Sequence, residues 1–153
     1  MITALLILHA LVAVALIGAI THQAIGAFRQ PAPASSFMGR FAAVPGAGYT
    51  QAIILLFLAS FILGDLVYPQ YRLDVRTALE DLNLRAANGI FEIKEHFAAI
   101  GVFMLPAYWF YWRRPLAPEY ANPRKYLTAI LCFIAWWNFF VGHILNNIKG
   151  FGQ

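Results

Sequence analysis

Hydrophobic positions in this chain do not alternate with polar ones; they run in four long blocks separated by stretches rich in proline, glycine or charge. The blocks cover about residues 2–28, 50–68, 90–112 and 126–147. Each is near the roughly 20 apolar residues that an α-helix needs to cross the hydrocarbon core of a bilayer. Apolar blocks of that length leave no face for water, so the pattern predicts an all-α chain. The expected architecture is a four-transmembrane-helix bundle of up-down-up-down topology, forming a single integral membrane domain over residues 1–153.

The segments between the blocks are read as connections. Residues 29–48 carry Pro31, Pro33, Pro45 and three glycines, which breaks regular structure and predicts an irregular surface loop. Pro115, Pro118 and Pro123 do the same between the third and fourth blocks. Between the second and third, Leu73, Arg76, Leu79 and Leu82 recur at steps of three among charged residues, which predicts a short helix lying in the membrane interface. The first block lacks the basic leader of a signal peptide and passes into Thr21-His22-Gln23 without a clear cleavage site, so it is read as a retained span. No internal repeat is visible.

Composition sharpens this picture. The chain is 61% hydrophobic and 12% charged, where soluble domains carry about 25% charged residues. Its net charge of +4 comes from basic residues scattered at the block ends, which suits lipid headgroups and not nucleic acid. The single cysteine, Cys132, lies inside an apolar block, so a disulfide framework and a cysteine metal site are both excluded, and packing is its expected role. No phosphate-binding glycine loop, nucleotide motif or paired nucleophile and base is present, which argues against hydrolases and ATP-driven proteins.

Four crossings put both termini on one side with the 69–89 connection, and both proline-rich connections on the other. Arg29, Arg40, Arg113, Arg114, Arg124 and Lys125 flank the proline-rich side, against Arg72, Arg76, Arg85, Lys94 and Lys149 on the terminal side: six basic residues against five. The excess favours cytoplasmic proline-rich loops and non-cytoplasmic termini, in a bacterial cytoplasmic membrane. Tyr108-Trp109-Phe110-Tyr111-Trp112 followed by Arg113-Arg114 reads as an interfacial aromatic belt with basic anchors.

Ionisable groups inside apolar spans are costly and tend to be functional, so their depth matters. His9 is early in the first block, Asp65 late in the second, His96 early in the third and His143 late in the fourth. In an antiparallel bundle all four fall towards the terminal side, where Glu92, Glu95, Tyr68, Asn146 and Asn147 join them. Glu92 and His96 share a helix face, with Asn88 and Ala99 on the same stripe. Glu92, Glu95, Asn146 and Asn147 lie close enough to a span end to reach water by snorkelling, which is their ordinary role. His22 belongs to the opposite end; at about 100° per residue it points roughly 140° away from His9, which argues against two haems stacked on one helix. It is read as an interfacial residue, a gate or a partner contact.

Imidazoles from different helices of an apolar bundle suit axial ligation of a b-type haem. Small residues that would admit a macrocycle stand beside them: Ala10 and Ala13 near His9, Gly64 beside Asp65, Gly101 above His96 and Gly142 beside His143. Matching depth makes His96 with His143 the first ligand pair, and His9 with either the second. Arg72, Arg76 or Lys94 could neutralise propionates, and Asp65 or Glu92 could orient a ligand imidazole through its second nitrogen, with Glu95 and Tyr68 as further polar or proton-transfer groups.

In span count, length and apolar histidines the chain resembles small four-helix b-type haem membrane proteins, such as the membrane anchors of respiratory dehydrogenases and the haem-binding, four-helix type of protoporphyrinogen oxidase. The resemblance implies a haem b subunit that transfers electrons, linked to quinone, beside other membrane subunits of a larger redox complex and not catalytic alone. Two other classes stay open. One is a cofactor-free structural or assembly subunit; the other is direct metal binding by His9, His96 and His143 with Glu92 or Asp65, without porphyrin.

Overall fold

The computed structural model describes residues 2–29, 33, 35–42, 44–113 and 116–148. In chain order its helices are α1 (Ile2–Phe28), the short α2 (Phe37–Ala42), α3 (Thr50–Gln70), the short α4 (Arg76–Asp81), α5 (Arg85–Trp112) and α6 (Ala121–Ile148), and the described residues contain no strand. Arg114, Lys149, Pro31 and Pro115, which entered the expectations above, lie outside the described residues.

The four long helices pack in a ring: α1 lies against α3 and α6, and α5 against α6 and α3. Neighbours run antiparallel. Gly64, late in α3, faces His9, early in α1, while Gln23, late in α1, bonds Thr50 at the start of α3. Trp112 at the end of α5 likewise meets Thr128 early in α6, and Lys94 early in α5 lies beneath Gly142 late in α6. The centre is filled by Leu16, Ile17 and Ile20 of α1, Ile53 and Phe57 of α3, Leu105 and Tyr108 of α5, and Leu131 and Ile134 of α6.

The outward faces are as apolar as the core. Ile7, Leu11 and Val14 on α1, Leu55, Ile62 and Leu66 on α3, and Ile130, Phe133 and Ile144 on α6 are exposed. Such a surface would aggregate in water and is matched by hydrocarbon. Three helical stretches, Ile2–Phe28, Gly46–Asp81 and Pro118–Asn147, are long and apolar enough to cross a membrane, as suits an integral membrane protein. Although α5 has 28 residues, it is not among them: Arg85, Glu92, Lys94, Glu95 and His96 crowd its first half and dilute its apolar character.

Two connections are more ordered than expected. The 29–48 segment holds α2, whose first turn is capped by Ser36 Oγ accepting the Gly39 amide at 2.9 Å, and a 3₁₀ turn at Gly46–Tyr49. Beyond α3 the chain does not break into a separate interfacial helix; a π turn, Tyr71–Val75, carries it directly into α4. Pro69 in the last turn of α3 has no N–H for the Asp65 carbonyl, which loosens the ladder just before that turn. The buried face is Tyr71, Val75 and Leu79, at steps of four, packed on Phe91 and Ala87 of α5. Leu73 and Leu82, which share the predicted stripe with Leu79, are exposed. Asn83, at φ 55°, closes α4: its amide reaches Glu80 O at 2.9 Å and that of Leu84 reaches Leu79 O at 2.8 Å, a Schellman ending that lets α5 turn back.

Candidate functional site

At the end of the bundle holding the N-terminus of α1, a cavity of about 290 Å³ is lined from all four long helices. His9, Ala10 and Ala13 come from α1, Gly64 and Tyr68 from α3, Lys94 and Glu95 from α5, and Asn138, Gly142, His143 and Asn146 from α6. Its size is near the lower end of the range for small-molecule pockets. Tyr71 of the π turn also lines it.

His9 and His143 share this cavity, and they reach it from helices that pack against one another. The His9 ring rests on bare backbone, since a Cβ at Gly64 would lie 3.6 Å from its Cε1. Its Nδ1 is buried without a hydrogen-bond partner of good geometry, and the Ser60 backbone lies within reach of the ring. The His143 ring lies parallel to that of Phe139, centroids 6.2 Å apart, and its side chain is exposed. Lys94 is mostly buried, pairs with Glu95 and holds its Nζ 4.6 Å from the centre of the Phe91 ring. Phe91 in turn stacks on Tyr71 at 3.5 Å, giving the cavity an aromatic side wall.

The preferred pair of the sequence, His96 with His143, is not brought together. His96 does not line the cavity; it is exposed on α5, its Nδ1 2.6 Å from the Glu92 carbonyl of its own helix. The rotation of α5 about its axis turns Lys94 and Glu95 inward instead. Gly101 offers no slot either, because Phe57 fills it: a Cβ there would overlap the ring tip and come within 3.3 Å of Ile134 Cγ2. Glu92 faces Arg76 at 3.5 Å, and Arg76 also bonds Glu80 at 2.8 Å, so neither lies in the cavity wall. Arg72 bonds the Tyr68 hydroxyl at 3.2 Å from outside. Asp65 is exposed and outside the lining, although Glu95 and Lys94 are near enough to act on it electrostatically. Asn88, assigned to the Glu92 stripe, is buried and accepts the Tyr71 hydroxyl at 3.1 Å.

No family model matches the chain, and no curated protein or solved structure matches it.

Function therefore has to be argued from the site's own groups. Among the described residues, no three His, Cys, Asp or Glu side chains gather as a metal cluster. The groups that do share a space are the imidazoles of His9 and His143 and the carboxylate of Glu95.

Sequence reasoning missed a buried polar centre at the other end. Gln23 is fully buried; its Nε2 donates to Gly46 O at 3.0 Å and to Thr50 Oγ1 at 3.4 Å, and its Oε1 accepts the Tyr108 hydroxyl. Trp112 Nε1 donates to Thr128 Oγ1 at 2.9 Å, and Trp136 Nε1 to Thr21 Oγ1 at 2.9 Å. Cys132 Sγ sits 3.9 Å from that same Thr21 hydroxyl and packs on the core. The signal was present in Thr21-His22-Gln23 and in Tyr108 of the aromatic belt, but nothing in the spacing tied them together. Beside this centre lies a second cavity, also about 290 Å³, at His22, Trp112, Arg124 and Lys125.

Proposed function

We propose that the chain is a four-span membrane subunit that holds one haem b between His9 and His143 and passes single electrons, in exchange with quinone and beside other membrane subunits. The observation that carries this reading is that two imidazoles from adjoining antiparallel helices line one cavity. Three features of the lining support this reading. Ala10, Ala13, Gly64 and Gly142 keep the walls low, and His9 has a buried ring nitrogen without a partner of good geometry. Lys94, paired with Glu95, would present its ammonium to a propionate. A bound haem would contribute reversible one-electron redox chemistry; the chain's part is to ligate it, exclude water from it and tune it through burial.

The fourth crossing belongs to the same proposal. At about 1.5 Å per residue α5 is about 42 Å long, more than a hydrocarbon core of about 30 Å requires. Its outward residues Ile93, Ile100, Phe103 and Phe110 are exposed and apolar like those of the other three, and Phe103 is 85% exposed. The charges that lower its hydropathy sit at the cavity end, where Arg76 and the cavity itself receive them.

The test is an oxidised and a reduced optical spectrum of the protein purified from cells supplied with ample haem precursor. Low-spin bands should be present in the wild type, lost in His9→Ala and His143→Ala, and retained in His96→Ala and His22→Ala. Wild-type protein without porphyrin would sink the haem reading and leave a cofactor-free structural subunit in its place.

A further inference from the structure

We infer that the second cavity, at the proline-rich end of the bundle, is a binding site for a phosphate-bearing anion, and that the anion is the headgroup of an acidic phospholipid. The ends of three apolar helical stretches meet there: the last turns of Ile2–Phe28, the first of Gly46–Asp81 and the first of Pro118–Asn147. That is the depth at which a span leaves hydrocarbon for headgroups.

The cavity of about 290 Å³ is lined by cations and by aromatic rings. Arg124 and Lys125 of α6 line it, and neither has a carboxylate partner among the ion pairs of the described residues. The Arg124 guanidinium is steered without being neutralised: Nη1 donates to Ala117 O at 2.8 Å and its carbon lies 5.9 Å from the Trp112 ring centre. His22 also lines the cavity, its ring 4.2 Å from Phe41 and 4.8 Å from Tyr49, with Nε2 only at 3.4 Å from Val44 O. Gly26 and Ala27 leave the floor open between these groups. Two cations and an imidazole around a space of that size match the negative charge and the two non-bridging oxygens of a phosphodiester headgroup. The lipid source is favoured by the rim: Phe28, Phe37, Val44 and Tyr126 are exposed apolar or aromatic residues at the same end, a surface along which acyl chains can lie. Nothing in this inference depends on the haem.

Native mass spectrometry of the detergent-purified full chain tests it, with phosphatidylglycerol, phosphatidylcholine and inorganic phosphate as probes. One phosphatidylglycerol per chain should be retained at least tenfold more strongly than phosphatidylcholine. Lys125→Gln, and Arg124→Gln with Lys125→Gln, should remove that preference, while Arg72→Gln at the opposite end should keep it. A circular-dichroism melt confirms that each variant is folded, and Lys125→Gln serves alone if loss of the Arg124 bond to Ala117 unfolds the double variant. Binding of inorganic phosphate that Lys125→Gln abolishes, without preference between the lipids, would keep the anion site and overturn its lipid occupant. Equal retention of both lipids with no phosphate binding, or the same loss in Arg72→Gln, overturns the site altogether.

Discussion

Tyr108 of α5 donates its hydroxyl to Oε1 of Gln23 on α1, across the bundle, and both side chains are fully buried. Gln23 has its other end on Gly46 and Thr50, so one amide ties α1 to α5 and to the start of α3. Removing the donor leaves a buried acceptor unpaired, which costs about 1–3 kcal/mol, above the roughly 0.6 kcal/mol average of interhelical bonds in membranes. Tyr108→Phe should therefore lower the thermal midpoint in detergent more than Tyr126→Phe, whose ring is exposed. Equal midpoints for the two variants would show that the bond contributes nothing.

Gly101 and Phe57 form a lock between α5 and α3. Gly101→Ala would drive a methyl into the Phe57 ring, and overpacking of this kind costs about 1–3 kcal/mol. Phe57→Leu should restore part of the loss by withdrawing the ring, a positive coupling that a double-mutant cycle measures. Additive losses would mean that the two side chains do not share the space.

Gly64 holds open the wall on which the His9 ring lies, 3.6 Å from where a Cβ would stand. Gly64→Leu is expected to crowd the proposed haem site and lower the haem-to-protein ratio at least several-fold with the helix content unchanged. Leu66→Ala, two residues on and exposed on the outer face, is the control and should leave the ratio intact. Full haem loading in Gly64→Leu would move the cofactor away from His9.

Crossing by α5 decides the topology. If it crosses, reporters at the two termini and one inserted at Asn83 all lie on one side, expected to be the non-cytoplasmic one. Three crossings would separate the termini, which is the result that removes the four-span proposal.

The positions of the helices were legible because apolar blocks carry them: α1 occupies the 2–28 block without a residue of difference, and α6, Ala121–Ile148, extends the 126–147 block mainly at its N-terminal end. Where a block was bounded by charge, the sequence misled. The 72–82 stretch read as a separate interfacial helix, yet Pro69 and the π turn continue α3 and bring Tyr71, Val75 and Leu79 to the buried face. Charge marks a chain's distance from water, and a π turn changes facing without changing composition.

The sequence by itself determined the all-helical class, the approximate positions of the four long helices and the end of the bundle at which His9, His143, Lys94 and Glu95 gather, because bilayer thickness and helical rise convert residue number directly into depth. Only the tertiary structure decided which of them meet. Rotation of each helix about its own axis is set by packing, here by Phe57 filling Gly101 and Tyr71 bonding Asn88. That rotation turned Lys94 and Glu95 into the cavity, left His96 outside it and joined Gln23 to Tyr108, and no one-dimensional spacing records it.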